Sequence, residues 1–146
     1  MTPPDEHFRK LERMYHSAPI NRFFAPTLRI PEEGRAEIKM PIKPDFFHAA
    51  NAVHGSVYFK ALDDAAFFAA NSLVSDVFVL TVTYNVFLTR PIVDGEMRAA
   101  GRVVHRSKNL IIADADLLDS ADRQIARGTG TFMRSQIALT PAIGYV

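Results

Sequence analysis

Apolar residues recur along this chain with two different periods, and the changes of period divide it into elements. Between Asp5 and Ser17, Phe8, Leu11, Met14 and Tyr15 fall at helical spacing, bracketed by Pro3, Pro4 and Pro19. That predicts a short amphipathic entry helix within an N-terminal helical segment, residues 1–20. From Pro26 to Pro44 the period drops to two: Ile38, Met40 and Ile42 alternate with Glu37, Lys39 and Lys43, and Pro31-Glu-Glu-Gly34 supplies a turn. A hairpin with one wet face is expected there. Gly55 to Leu73 returns to a helical period but is apolar on most sides, and its roughly five turns would run ~28 Å as a central helix. Four strand-like runs follow, Phe78 to Thr89, Glu96 to His105, Leu110 to Leu118 and Gln124 to Arg134.

The links between these runs, Arg90 to Gly95, Arg106 to Asn109 and Asp119 to Asp122, are short and turn-rich, as between antiparallel neighbours. A four-stranded meander is therefore expected. One long apolar helix between a hairpin and a meander has to be wrapped by the sheet, which predicts an α+β fold in one domain, residues 1–146. On the last strand Ala126, Gly128 and Gly130 share a face. Either they let Ala61, Ala65 and Ala69 of the helix approach closely, or they mark a bulge or a kink.

Composition narrows the class without naming a function. With 48% hydrophobic and 23% charged residues and a net charge of +1, the chain is globular, and neither nucleic acid nor membrane is expected as a partner. The absence of cysteine removes disulfides, thiolate zinc sites and a cysteine nucleophile, and agrees with a reducing compartment. No basic and apolar leader opens the sequence and no apolar run approaches the ~20 residues of a membrane span, so a cytoplasmic protein is expected. His7, His16, His48, His54 and His105 lack the i,i+4 pairing of a helical zinc site. A Gly-x-Ser-x-Gly elbow and a phosphate-binding glycine loop are also missing. No metal and no cofactor are expected.

Candidate chemistry concentrates at the central helix. The turn Val53-His54-Gly55-Ser56 puts backbone N–H groups at a helix N-terminus, where unpaired donors and the helix dipole favour an oxyanion. Its ordinary reading is a tight turn with Ser56 as N-cap. Ser56, Lys60, Asp63, Asp64 and Asn71 form a polar stripe interrupted by Phe67. Lys60 can pair with Asp64 at i,i+4, worth ~0.2–0.5 kcal/mol, which leaves Asp63 without an obvious partner. A carboxylate in a partly apolar groove has the profile of a hydrolytic base or nucleophile, and local sequence ranks Asp63 and Asp64 equally. On the strand after the helix, alternation puts Thr81, Thr83, Asn85 and Thr89 on one side and Leu80, Val82, Tyr84, Val86 and Leu88 on the other, so a threonine hydroxyl could orient water. Arg90, Arg106 and Lys108 belong to a local basic bias suited to phosphate contacts.

Four pieces of sequence carry a family likeness. They are His54-Gly55-Ser56 opening the helix, Asp63 nine positions after His54, Val86-Phe-Leu-Thr-Arg-Pro91 followed by Gly95, and the closing Ile125-Ala-Arg-Gly-Thr-Gly-Thr-Phe132. In order and spacing they resemble the hotdog-fold acyl-CoA thioesterases of the phenylacetate-pathway (PaaI-like) group. The resemblance implies a helix wrapped by a sheet, a homodimer with a dimer of dimers as the larger alternative, and hydrolysis of a small or medium acyl- or aryl-CoA, with coenzyme A as part of the substrate. It places the helix carboxylate on Asp63 rather than Asp64, the oxyanion donor on Gly55 N–H beside His54, and a water-positioning hydroxyl on Thr81. Two positions depart from the family pattern: Ser56 stands for its second glycine, and His48 for an asparagine six before the histidine, the nearest asparagine being Asn51. Ser56, Asp64, Asn51, Arg90, Arg106 and Lys108 are the expected substrate contacts.

Helix geometry adds a requirement independent of any family. Gly55 and Asp63 are eight residues apart, ~12 Å along a helix axis, too far for both to serve one carbonyl. If both act, they come from different chains of a two-fold pair. Two other functions compete. A non-catalytic acyl-CoA-binding dimer would use the same cleft, and an enoyl-thioester hydratase or dehydratase would need Asp-x-Asn-x-x-His, which Asn51-x-x-His54 meets by half because Ala49 replaces the aspartate.

Overall fold

Each period change in the sequence becomes an element boundary in the structure, a computed structural model that describes residues 4–146. The entry helix is α1 (Pro4–Ser17), followed by one turn of helix, α2 (Asn21–Phe24). The hairpin is β1 (Thr27–Glu32) and β2 (Arg35–Pro41), reversing at Gly34, whose φ of 81° favours glycine. The central helix α3 spans Gly55–Asn71, and the later strands are β3 (Val77–Leu88), β4 (Glu96–Arg106), β5 (Ile111–Leu118) and β6 (Gln124–Ala138). Alternation holds within β2, where Ala36, Ile38 and Met40 are buried while Glu37 and Lys39 face water, and stops at Pro41, so that Ile42 and Lys43, both partly buried, lie beyond the strand.

The strand order is β1-β2-β4-β5-β6-β3, and every neighbouring pair is antiparallel. The meander thus has three strands, β4, β5 and β6, and not the four expected. Its missing member, β3, forms an edge beyond β6, and residues 89–95 carry the chain from that edge back to β4 beside β2. The link crosses beside the start of α3, where Val53 N–H donates to the Ile92 carbonyl, and α3 packs against every strand, so the sheet is curled around the helix.

Close approach of helix and sheet depends on small residues, though not on those expected. Ala61, Ala65, Ala66, Ala69 and Ala70 have no exposed surface, and the glycine beneath them is Gly101 of β4. A Cβ there would stand 2.3 Å from the Ala65 carbonyl oxygen. Gly128 and Gly130 instead make room for the Tyr84 ring, which would lie 2.4 and 2.5 Å from a Cβ at those positions and packs edge-on against Phe59 of α3. Beyond α3, the buried Asn71 side chain donates to the carbonyls of Val74 and Val77 and accepts from Val79 N–H, fastening the helix end to β3. It is a structural residue and not part of the polar stripe's chemistry.

The simple alternation expected along β3 is broken once. Thr81 pairs with Phe132 and Thr83 with Thr131, so Val82 is an extra residue, a bulge that shifts the pleat by one. Before it, Val79 and Thr81 face the helix; after it, Tyr84 does, while Thr83 bonds Thr131 across the strands. Thr81 and Thr83 therefore lie on opposite faces, contrary to the sequence reading.

Candidate active site

Asp63 projects from the middle of α3 toward β3, where the bulge presents Thr81 to it. The Thr81 hydroxyl donates to Asp63 Oδ1 at 2.9 Å. Burial pushes the Asp63 carboxyl up to about 6; the neighbouring Asp64 charge adds to the rise, and the Thr81 hydrogen bond and Lys60 oppose it. The group is thus ionised at neutral pH yet basic enough to accept a proton.

Asp64 is differently occupied. Lys60 Nζ reaches its Oδ2 at 2.6 Å, the i,i+4 pair read from sequence, and the Tyr15 hydroxyl of α1 donates to the same oxygen at 2.7 Å. Lys60 also lies over the rings of Tyr15 and Phe24, 5.4 and 5.1 Å from their centroids. Burial first, and then the Asp64 charge, push the Tyr15 phenol up, so it stays a donor. With two donors on one oxygen, Asp64 ties α1 to α3. Tyr15 was read from sequence as core alone; its partner is 49 residues away, and its one local signal is a polar tip on an apolar stripe.

Asp63, Asp64 and Thr81 share the wall of a cleft of about 750 Å³ between α1–α2, α3, the start of β3 and the C-terminal tail. The remaining wall is mostly apolar, with Phe67, Phe68, Phe78 and Leu80 among its members. Gly55, His54 and Ser56 do not line it.

Those residues gather at the start of α3. His54, in extended conformation, is the N-cap: its Nδ1 accepts from Ser56 N–H at 3.0 Å, with Ser56 Oγ 2.8 Å from the same nitrogen. The cap is thus His54 and not Ser56. Gly55 follows as the first residue of the helix, where an N–H has no intrahelical acceptor, and a Cβ on it would meet Leu88 at 2.9 Å. His48 and Asn51 belong to the preceding turn: His48 Nδ1 accepts from Ala50 N–H, and Asn51, at φ 63°, donates its N–H to the His48 carbonyl. The three basic candidates do not come together. Arg90 lies at this end of α3, its carbonyl accepting from Tyr58 OH. Arg106 and Lys108 line a smaller cleft of about 310 Å³ at the other end, beside Leu73 and Arg134. Among the described residues no group of three or more His, Asp and Glu stands close enough to hold a metal ion.

The sequence profile described as the thioesterase superfamily matches residues 50–126, which contain α3, Asp63 and the Gly55 turn. The chain belongs to the thioesterase superfamily. This makes it a thioester hydrolase, and solved structures agree on the fold. The PaaI protein from the phenylacetic acid degradation operon of E. coli superposes with a TM-score of 0.85 at 18% identity, covering 95% of this chain and 100% of that one. A thioesterase from Haemophilus influenzae gives 0.76 at 15% identity, covering 83% of this thioesterase and 85% of the other. Among curated proteins, one named provisionally as an esterase, from Saccharolobus solfataricus, is 20% identical over 128 residues, 88% of this chain and 87% of its own length. The hotdog fold expected from the sequence is the fold observed.

Proposed function

We propose that this thioesterase hydrolyses acyl-CoA at a site shared by two chains, with Asp63 as general base or nucleophile. The observation that carries the reading is Asp63 itself, a half-buried carboxylate with its basicity raised to about 6, held by Thr81 at 2.9 Å on the wall of a largely apolar cleft. Thr81 holds the carboxylate and stands where it can share an attacking water. Asp64 is committed to Lys60 and Tyr15, which favours Asp63 in the chemical role.

The oxyanion donor is the Gly55 N–H of a second chain. Within one chain Gly55 and Asp63 are ~12 Å apart along α3, and the cleft at Asp63 does not include Gly55. A two-fold pair sets each α3 start against the other chain's Asp63, and the free edge of β3, with Val82 and Phe87 exposed, offers the surface for pairing.

The test is turnover of an acyl-CoA panel followed by free-thiol release. Asp63→Asn should lose at least about 10³-fold in kcat, while Asp64→Asn keeps most activity. Equal losses in the two variants would overturn the assignment of Asp63. Binding of acyl-CoA without release of thiol by the wild type would replace hydrolysis with the non-catalytic reading.

A further inference from the structure

The cleft beside Asp63 is built largely from parts of the chain that the superfamily profile does not match. Residues 14–21, at the exit of α1 and in α2, form one wall, and residues 137–144, the end of β6 and the turn after it, form another; the matched segment is 50–126. Resting on the hydrolase reading above, we infer that these two segments form a chamber for a bulky, uncharged hydrocarbon acyl group of about eight carbons or more, and so set the acyl specificity.

Three observations converge on this. The first is size: at ~30 Å³ per small heavy-atom group, an eight-carbon chain fills about a third of the 750 Å³, whereas an acetyl group would leave nearly all the apolar wall wet. The second is direction. Asp63 stands at the polar side, Phe67 lies one turn further along α3, and Phe78, Ile137 and Ile143 continue the apolar surface away from the carboxylates. A carbonyl held at Asp63 thus sends its hydrocarbon toward the termini. The third is charge. Lys60 is the one Lys or Arg among the described residues lining the cleft and is already paired with Asp64 at 2.6 Å, so a carboxylate at the far end of an acyl group would be desolvated without a counter-ion.

The terminal walls are held in place by polar contacts outside the cleft's chemistry. His7 bridges the Tyr145 hydroxyl at 2.7 Å and the Asn71 carbonyl at 3.0 Å, joining α1, the tail and the end of α3. The Asn21 amide donates to the Tyr15 carbonyl at 2.7 Å, turning the chain from α1 into α2.

Binding of S-alkyl-CoA thioethers, which cannot be hydrolysed, tests the chamber by calorimetry without relying on turnover. For the wild type, affinity should rise by about 4-fold per methylene from S-ethyl- to S-octyl-CoA, as expected for hydrocarbon leaving water. Ala142→Trp and Ile20→Trp, at exposed positions on opposite walls, should each cut the ratio of S-ethyl to S-dodecyl dissociation constants by at least about 10-fold. A wild type that binds S-ethyl- and S-dodecyl-CoA alike, or a ratio unchanged in both variants, overturns the proposal. Length-dependent binding without hydrolysis of any acyl-CoA would leave the chamber standing and remove the hydrolase reading.

Discussion

Asp63 sits in opposing fields: burial and Asp64 favour its neutral form, the Thr81 hydroxyl and Lys60 favour its charge, and the balance lies at about 6. As the proposed base it must be ionised, so log kcat/KM should rise with unit slope up to about pH 6 and level off above it. Thr81→Val removes a bond to the charged form and should move that acid limb to higher pH; a limb that stays in place would detach Thr81 from the base. The same shift has a stability consequence of opposite sense. A carboxyl whose pKa rises from 3.8 to about 6 on folding contributes stability that is fully present below pH 3.8 and is lost as pH rises through about 6, above which the buried charge remains uncompensated relative to a neutral side chain. Asp63→Asn should therefore be inactive yet more stable than the wild type by about 1–2 kcal/mol at pH 7.5, with the gain gone near pH 3.5, as thermal melts at the two pH values will show. The pair Asp63 and Asp64 was legible in the sequence as carboxylates on an apolar helix. The Lys60 partner of Asp64 was legible too, as an i,i+4 pair; its second donor, Tyr15, was not, because it arrives from another helix.

Two kinds of glycine, alike in sequence, separate at the level of elements. Gly101 lies against the α3 backbone, so Gly101→Ala should cost about 2–3 kcal/mol or more and resist rescue, since helix and strand would have to part. Gly130 lies against a side chain. Gly130→Ala should cost a comparable amount, but Tyr84→Leu in the same chain should recover much of it, which a double-mutant cycle by chemical denaturation will measure. Tyr84→Phe alone should cost little, because the buried Tyr84 hydroxyl has no hydrogen-bond partner among the described residues to lose. The elements themselves were legible nearly throughout, since hydrophobic period decides helix from strand and proline and glycine mark the turns. Long-range pairing was not: nothing in residues 77–88 shows that β3 passes by β4 to lie on β6, and the Val82 bulge is an ordinary strand residue in the sequence. Gly101 escaped notice because closeness to Ala65 is a property of the folded pair.

At the scale of the whole molecule, the proposed shared site predicts complementation. Gly55→Pro removes the N–H at the first helical position, where proline is otherwise well tolerated, and should lower kcat by about 10²–10³-fold. Mixed in equal amounts with Asp63→Asn and allowed to exchange subunits, it should restore about a quarter of wild-type activity, because half the dimers are mixed and one site in each is whole. Persistent inactivity with folded heterodimers present would place both groups in one chain or reject one of them. The pairing that the proposal requires follows from helix rise once Gly55 and Asp63 are both assigned to one site; the surface proposed for it does not, since it depends on which strand becomes the edge. The two edges of this sheet are unlike. β1 is short, carries Pro31, breaks register between Arg29 and Glu32, and bears charge at both positions, all of which discourage addition of another strand. β3 is long, exposes Leu80, Val82, Phe87 and Leu88, with Phe87 63% exposed, and carries no proline; its pairing with β6 shifts register between Val77 and Val79 and between Thr81 and Thr83. Were both edges receptive, each added copy would expose a fresh docking edge and growth would have no end. With one edge blunted, the proposed pairing would consume the receptive edge of both partners, and association by strand addition would stop at two.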